Sequence, residues 1–207
     1  MSTAAAPSRP GQVLADLLPS PKLSASLERG GAPTRVRDVA LVLGGAALTG
    51  VAAQIAVPVP GSPVPVTGQT FAALLVGTAL GARRGFLSIA VYALAGVAGM
   101  PWFAQGGSGA AAPSFGYVLG MLLAVTVVGA LARRGADRSV LRTAGTMLLG
   151  EALIYAVGVP YLALATGMTL GQAVAAGLVP FLVGDALKAA LAMGALPTAW
   201  KLATRRD

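Results

Sequence analysis

Asp185 and Lys188 are the residues of this chain whose types and spacing point most directly to chemistry. They lie in Pro180-Phe181-Leu182-Val183-Gly184-Asp185-Ala186-Leu187-Lys188, an otherwise apolar run, and on a helix a spacing of three projects both from one face. No other strongly apolar stretch carries both signs. Ionisable groups inside a bilayer span face a cavity, a pathway or a partner, because a lone charge in hydrocarbon is expensive. Two uses compete. One is an ion pair that only ties helices together; the other is a pocket for a small molecule bearing a carboxylate and polar N–H groups. Glu151 is a further carboxylate in an apolar stretch, about two turns into its span, and is expected to reach toward Arg142 and the neighbouring basic loop rather than the pocket.

The elements that must position these groups follow from composition. Hydrophobic residues make up 56% of the 207, charged residues 11%, and the mean hydropathy is +0.76, whereas about a quarter of a soluble domain is charged. The chain therefore reads as an all-α integral membrane protein. With about 20 residues per crossing, it holds six transmembrane helices. His and Cys are absent, which excludes disulfides, thiol nucleophiles, haem ligation by His, and metal sites or triads built on these residues. No metal or cofactor is expected. Nor is there a Gly-x-x-x-x-Gly-Lys-Ser/Thr loop, so ATP hydrolysis by that chemistry must lie elsewhere.

Along the chain, residues 1–38 are rich in Pro, Ser, Ala and Gly, lack a continuous apolar signal-peptide core and read as a flexible basic tail. The membrane domain spans 39–200, and 201–207 form a second tail. The predicted crossings are 39–57, 66–81, 86–99, 115–132, 143–165 and 170–200. The second, at about 24 Å, is short for a bilayer. Before it stands Pro58-Val59-Pro60-Gly61-Ser62-Pro63-Val64-Pro65, which reads as an extended, polyproline-like loop. Irregular backbone beside a short crossing is tolerated where protein or a water-filled cavity surrounds it. Residues 100–113 form another uncharged loop, with glycines that let backbone N–H groups approach a ligand and with Trp102 and Phe103 as apolar walls or an interfacial anchor.

Charge placement sets the topology. Of the 15 Lys and Arg, five precede the first crossing, two lie between the second and third, four between the fourth and fifth, and three follow the sixth; Lys188 is the last. The other loops have none. Basic ends mark the cytoplasm, so both termini are expected inside and the neutral loops outside. The net charge of +8 is thus topogenic, and no nucleic acid partner is expected. Counting back from Lys201, Lys188 lies about 20 Å and Asp185 about 24 Å along a continuous helix, in the outer half and beneath the Pro-rich and Gly-rich loops. Pro180 is expected to kink the helix or start a new segment.

Several ordered motifs carry a resemblance. Pro63-Val64-Pro65-Val66-Thr67-Gly68-Gln69-Thr70-Phe71, Leu80-Gly81-Ala82-Arg83-Arg84-Gly85, Gly99-Met100-Pro101-Trp102-Phe103-Ala104 with Gly106-Gly107-Ser108-Gly109, and the run from Pro180 to Lys188 together resemble the BioY family, the biotin-binding S components of energy-coupling factor (ECF) transporters. The likeness runs from about Arg37 to Lys201. Val183, where the family often has Pro, and Pro113-Ser114-Phe115-Gly116-Tyr117, where it has Pro-Thr-Gly-Gly-Tyr, depart from the pattern.

The resemblance implies biotin capture from outside a prokaryotic plasma membrane, with partners in a transmembrane coupling subunit and two ATP-hydrolysing subunits. Lys188 then suits the valerate carboxylate, and Asp185 either accepts ureido N–H bonds or orients Lys188. Gln69 offers amide donors and an acceptor; Tyr92 and Tyr117 offer hydroxyls on apolar rings, with bundle packing as the competing role. Phe103 would cover the ligand ring, and Gly107 and Ser108 belong to a lid. In the first crossing, Ala40 and Gly44, Ala46 and Gly50, and Ala52 and Ala56 are small-xxx-small pairs that permit close helix approach; the resemblance makes them a docking face for the coupling subunit, and packing within the bundle is the alternative. A stand-alone facilitator, betrayed by uptake without ATPase partners, and an intramembrane enzyme using Asp185 or Glu151 are the competing functions. The second lacks a nucleophile–base pair.

Overall fold

The structure, a computed structural model, describes residues 11–18 and 32–204. Helices α1 (Ala32–Gln54), α2 (Gln69–Leu80), α3 (Ala82–Val97), α4 (Phe115–Arg133), α5 (Val140–Thr166), α6 (Leu170–Gly177) and α7 (Leu182–Ala203) account for most of them. Strands β1 (Ala56–Val57) and β2 (Val66–Thr67) pair antiparallel. Four stretches are long and apolar enough to cross a membrane: 35–54, Phe115–Arg133, Val140–Thr166 and Leu170–Ala203. The predicted second crossing is shorter than expected. Helix α2 has 12 residues, about 18 Å, against a hydrocarbon core of about 30 Å.

The principal core joins α2, α4, α5 and α7 through Leu74, Met121, Val125, Ile154, Leu162 and Leu196. Helices α4 and α5 share the largest contact, and Gly120 makes their approach possible: a Cβ there would sit 2.6 Å from the Ile154 carbonyl oxygen. The turn between α2 and α3 is a single residue, Gly81, whose φ of 83° is a left-handed conformation that only glycine adopts without strain.

Two expectations change, for the Pro-rich segment and the 1–38 tail, and the break expected at Pro180 is present. The Pro-rich segment is the loop of a hairpin rather than an extended strip, because β1 and β2 pair on either side of it and Gly61, at φ 77°, turns the chain back; Val64 is thereby driven into the core. The sixth crossing is broken. Helix α6 starts on a Thr169–Gln172 capping box and stops at a 3-10 turn over Val179–Phe181, since Pro180 has no N–H to continue the ladder. Finally, part of the 1–38 tail is packed. Residues Leu14–Leu17 form a 3-10 turn, Val13 and Ala15 are buried, and Arg84 pairs with Asp16 at 2.7 Å and Asp38 at 2.8 Å. Residues 32–38 and 201–203, also assigned to the tails, continue helices α1 and α7, and residues 1–10, 19–31 and 205–207 lie outside the described residues.

Candidate functional site

Helix α7 begins at Leu182, so Asp185 stands in its first turn and Lys188 one turn on. Lys188 Nζ donates to Asp185 Oδ1 at 3.0 Å and to Thr70 Oγ1 of α2 at 2.9 Å. Tyr155, from α5, donates its hydroxyl to Asp185 Oδ2. One turn before Tyr155 on the same helix, Glu151 is buried at 8% exposure. The Thr70 hydroxyl accepts from Lys188 and keeps one proton to give. Glu151 Oε2 has no hydrogen-bond partner among the described residues.

Glu151 therefore does not reach toward Arg142 and the basic loop. The face of α5 that carries it also carries Met147, Ile154 and Tyr155, and burying that face against α2 and α7 turns the carboxyl inward. Sequence reasoning also passed over Thr70 and Tyr155. Helical spacing held a signal for the latter, four residues after Glu151.

Two cavities meet at this cluster. The larger, about 590 Å³, lies between α5 and the α6–α7 break; Glu151, Tyr155, Asp185 and Lys188 supply its polar wall, with apolar residues such as Phe71, Leu74 and Val159 around the rest. Its volume falls within the range of about 300 to 1,000 Å³ common for small-molecule sites. The smaller, about 40 Å³, lies under the loops; Gln69, Thr67, Thr70, Ser114 and Tyr117 line it, and it shares Tyr155, Asp185 and Lys188 with the first. Tyr155, Asp185 and Lys188 lie on the wall common to the small cleft and the larger chamber.

The structure sorts the predicted site residues. Asp185, Lys188, Gln69 and Tyr117 come together. Gln69 is buried, its amide donating to Met121 Sδ at 3.6 Å, and Tyr117 donates to the Gly177 carbonyl at 2.7 Å. Tyr92 and Phe103 do not join them. Both are buried in a separate aromatic stack with Trp102, their rings 5.3 Å apart, and neither lines the two cavities at the charged pair. Gly107 bridges back to Phe103 and Ser108 is exposed, so neither reaches the cluster. Their loop is pinned by Gln54 of α1, which donates to the Trp102 and Phe103 carbonyls and accepts from Gly106 N. From that loop Ala104, and from its end Ser114, line the cleft.

The proposed docking pairs of α1 do not share a face. Ala40 and Gly44 are exposed, Ala46 and Gly50 point inward, and Ala52 and Ala56 are half-buried. A Cβ on Gly50 would meet the Trp102 ring at 2.8 Å, so that pair serves packing, and Ala56 lies beyond the helix in β1.

The sequence profile of the BioY family matches residues 23–205. A probable biotin transporter BioY of Pyrococcus horikoshii is 38% identical over 162 residues, 77% of this chain and 93% of the relative. The biotin transporter BioY2 of Lactococcus lactis subsp. cremoris is 35% identical over 76% of this chain and 87% of its own length. A crystal structure of the S-component for biotin from an ECF-type ABC transporter has the same fold, with a TM-score of 0.72, 22% identity and coverage of 81% of this chain and 93% of that one. A profile match over most of the length, relatives aligned nearly end to end and a common bundle lead to one conclusion: the chain belongs to the BioY family.

Proposed function

We propose that this protein, a transporter-family member and not an enzyme, captures biotin at the outer side of a prokaryotic plasma membrane and delivers it inward as the substrate-binding subunit of an ECF-type transporter. The observation that carries the reading is the cluster of Lys188, Asp185, Tyr155 and Glu151, its two carboxylates buried, walling a chamber of about 590 Å³ that is otherwise apolar. Biotin has that character: an apolar thiophane ring and alkyl chain with polar groups at both ends. The cleft lined by Gln69, Ser114 and Tyr117 is the approach from the outer loops, and the chamber supplies the room.

In this reading the chain crosses the bilayer six times with both termini in the cytoplasm. The support is that Arg84, Arg133 and Arg138 gather at one end of the bundle, on Asp16 and the backbone of Gly11 and Gln12. Energy comes from a coupling subunit and two ATP-hydrolysing chains. Ala40 and Gly44, on the open side of α1, offer the coupling subunit a surface for close helix approach.

Equilibrium binding of biotin to the purified protein in detergent tests this function, with Lys188→Ala beside it. Removing one partner of a buried charge pair costs about 2 to 5 kcal/mol, so affinity is expected to fall roughly 30-fold to several thousandfold. Folded protein that binds no biotin would sink the proposal.

A further inference from the structure

Helix α1 lends no residue to either cavity at the charged pair, yet its last residue bears on one of them. The Gln54 side chain is spent on the loop that follows α3. Its amide N–H groups serve the carbonyls of Gly50, Trp102 and Phe103 at 3.0, 3.0 and 3.2 Å, and its Oε1 accepts from Gly106 N at 3.2 Å. Gly106 N also donates to the Phe103 carbonyl at 3.0 Å, and Phe103 bridges to Gly107. One side chain thus braces both arms of the turn over residues 103–107, and Ala104 of that turn lines the small cleft.

The turn is under strain. Gln105 has φ 58° and ψ 33° and is the only residue other than glycine with positive φ among the described residues; a side chain in that region crowds the following carbonyl and costs free energy. The Gln54 bonds offset this cost, and two of them lie in the open, where water competes for the same groups. Held and released forms of the turn are therefore close in free energy. The cleft itself has about 40 Å³, well under the roughly 300 Å³ at which small-molecule sites begin. A ligand passing between the outer loops and the charged pair must displace part of the wall. Helices α2, α4, α5 and α7 and the core residue Val64 supply most of it; Ala104 is the part held by exposed bonds over a strained neighbour.

We propose that Gln54 is a positioning residue for ligand binding: it returns the strained turn at Ala104 to the cleft and so sets how long a bound ligand is retained. It touches no ligand itself and acts through the backbone of Trp102, Phe103 and Gly106. This rests on the biotin reading above. It gives the outer end of α1 a task apart from the packing of Gly50 against Trp102.

The experiment is a chase of tritiated biotin from the purified protein in detergent, with Gln54→Ala, Gln105→Gly and the double variant beside wild type. Gln54→Ala is expected to speed dissociation by about 5- to 20-fold, the loss of one or two modest hydrogen bonds, with association no slower. Glycine takes positive φ freely, so Gln105→Gly should slow dissociation by about two- to fivefold and, placed on top of Gln54→Ala, bring the rate back to within about threefold of wild type. Acrylamide quenching follows the turn without ligand. Of the two tryptophans, Trp200 is buried at 4% exposure, so the quenched signal is mainly that of Trp102, and it should rise in Gln54→Ala. Folded Gln54→Ala that releases biotin at the wild-type rate, or a loss that Gln105→Gly does not reverse, overturns the proposal and leaves Gln54 as a brace of the loop. If Gln54→Ala does not fold, Gln105→Gly decides alone, and dissociation no slower than wild type overturns it as well. Wild type that binds no biotin is a different result, since it removes the function itself.

Discussion

Tyr155 shows how a residue without charge governs the charged pair. Its hydroxyl donates to Asp185 Oδ2 while Lys188 holds Oδ1, so the carboxylate is fixed from both sides and Lys188 is fixed through it. Hydrogen bonds to ionised groups contribute about 1.5 to 3 kcal/mol. Tyr155→Phe is accordingly expected to weaken biotin binding by roughly 10- to 150-fold in calorimetric titration. If Tyr155 acts through Asp185 and Lys188, the same substitution made on top of Lys188→Ala should add little, since residues of one network are not additive. Full additivity would mean that the ring contacts the ligand directly. Tyr117, 6.2 Å away centroid to centroid, has given its hydroxyl to the Gly177 carbonyl and fastens α4 to α6 beside the cleft.

At the scale of elements, the bundle depends on close helix approach. A side chain at Gly120 would enter the Ile154 backbone, with its Cβ 2.8 Å from Ile154 Cα, and rigid backbone cannot step aside as a flexible side chain would. Gly120→Val is expected to destabilise by at least the roughly 1 to 3 kcal/mol typical of overpacking, read as a lower unfolding temperature in detergent; unchanged stability would mean that α4 and α5 are less tightly packed than this. Helices such as α4, α5 and the start of α7 were legible because runs of apolar residues between basic turns leave few alternatives, and the Asp185–Lys188 pair because charge is rare in such runs. The hairpin across 56–67 was not, since a two-residue strand has no period to read and four prolines suggest extension more strongly than pairing. The side of α5 that carries Glu151 was equally hidden. Apolar residues surround that helix on all sides, so its inward face is decided by what packs on it and not by its own pattern. The seat of Phe103 was hidden for a related reason: an aromatic near a glycine-rich loop reads as a ligand wall, and only the packing brings its ring onto Gly96, where a Cβ would lie 2.1 Å from it.

Across the whole molecule, polarity is divided between two ends with different tasks. The end that carries the neutral loops holds the small cleft at the charged pair. The opposite end is closed by the segment 11–18, which lies across several turns of the bundle. Gly11 N donates to the Arg133 carbonyl at 3.1 Å, Arg37 donates to the Ala15 carbonyl, and Arg84 ties Asp16 to Asp38 of α1. Behind it Asp137 accepts from Trp200 Nε1 at 2.7 Å, which joins the α4–α5 turn to the end of α7. Burial alone would push the Asp16 carboxyl up, but the hydrogen bond and charge of Arg84 outweigh it and hold the carboxyl below its ordinary value of 3.8. A depressed folded-state value means that the segment's attachment is at full strength above about pH 4 and weakens as pH falls through that lower value. The pair is partly exposed, so its share is about 1 kcal/mol or less; it can decide whether eight residues stay attached without deciding whether the bundle folds. Asp16→Ala is therefore expected to raise hydrogen exchange across residues 11–18 at neutral pH by roughly fivefold while α2, α4 and α5 keep their protection, and acidification below about pH 4 should do the same to the wild type. If exchange in this segment is unmoved by both, the buried Val13 and Ala15 hold it and the ion pair is incidental.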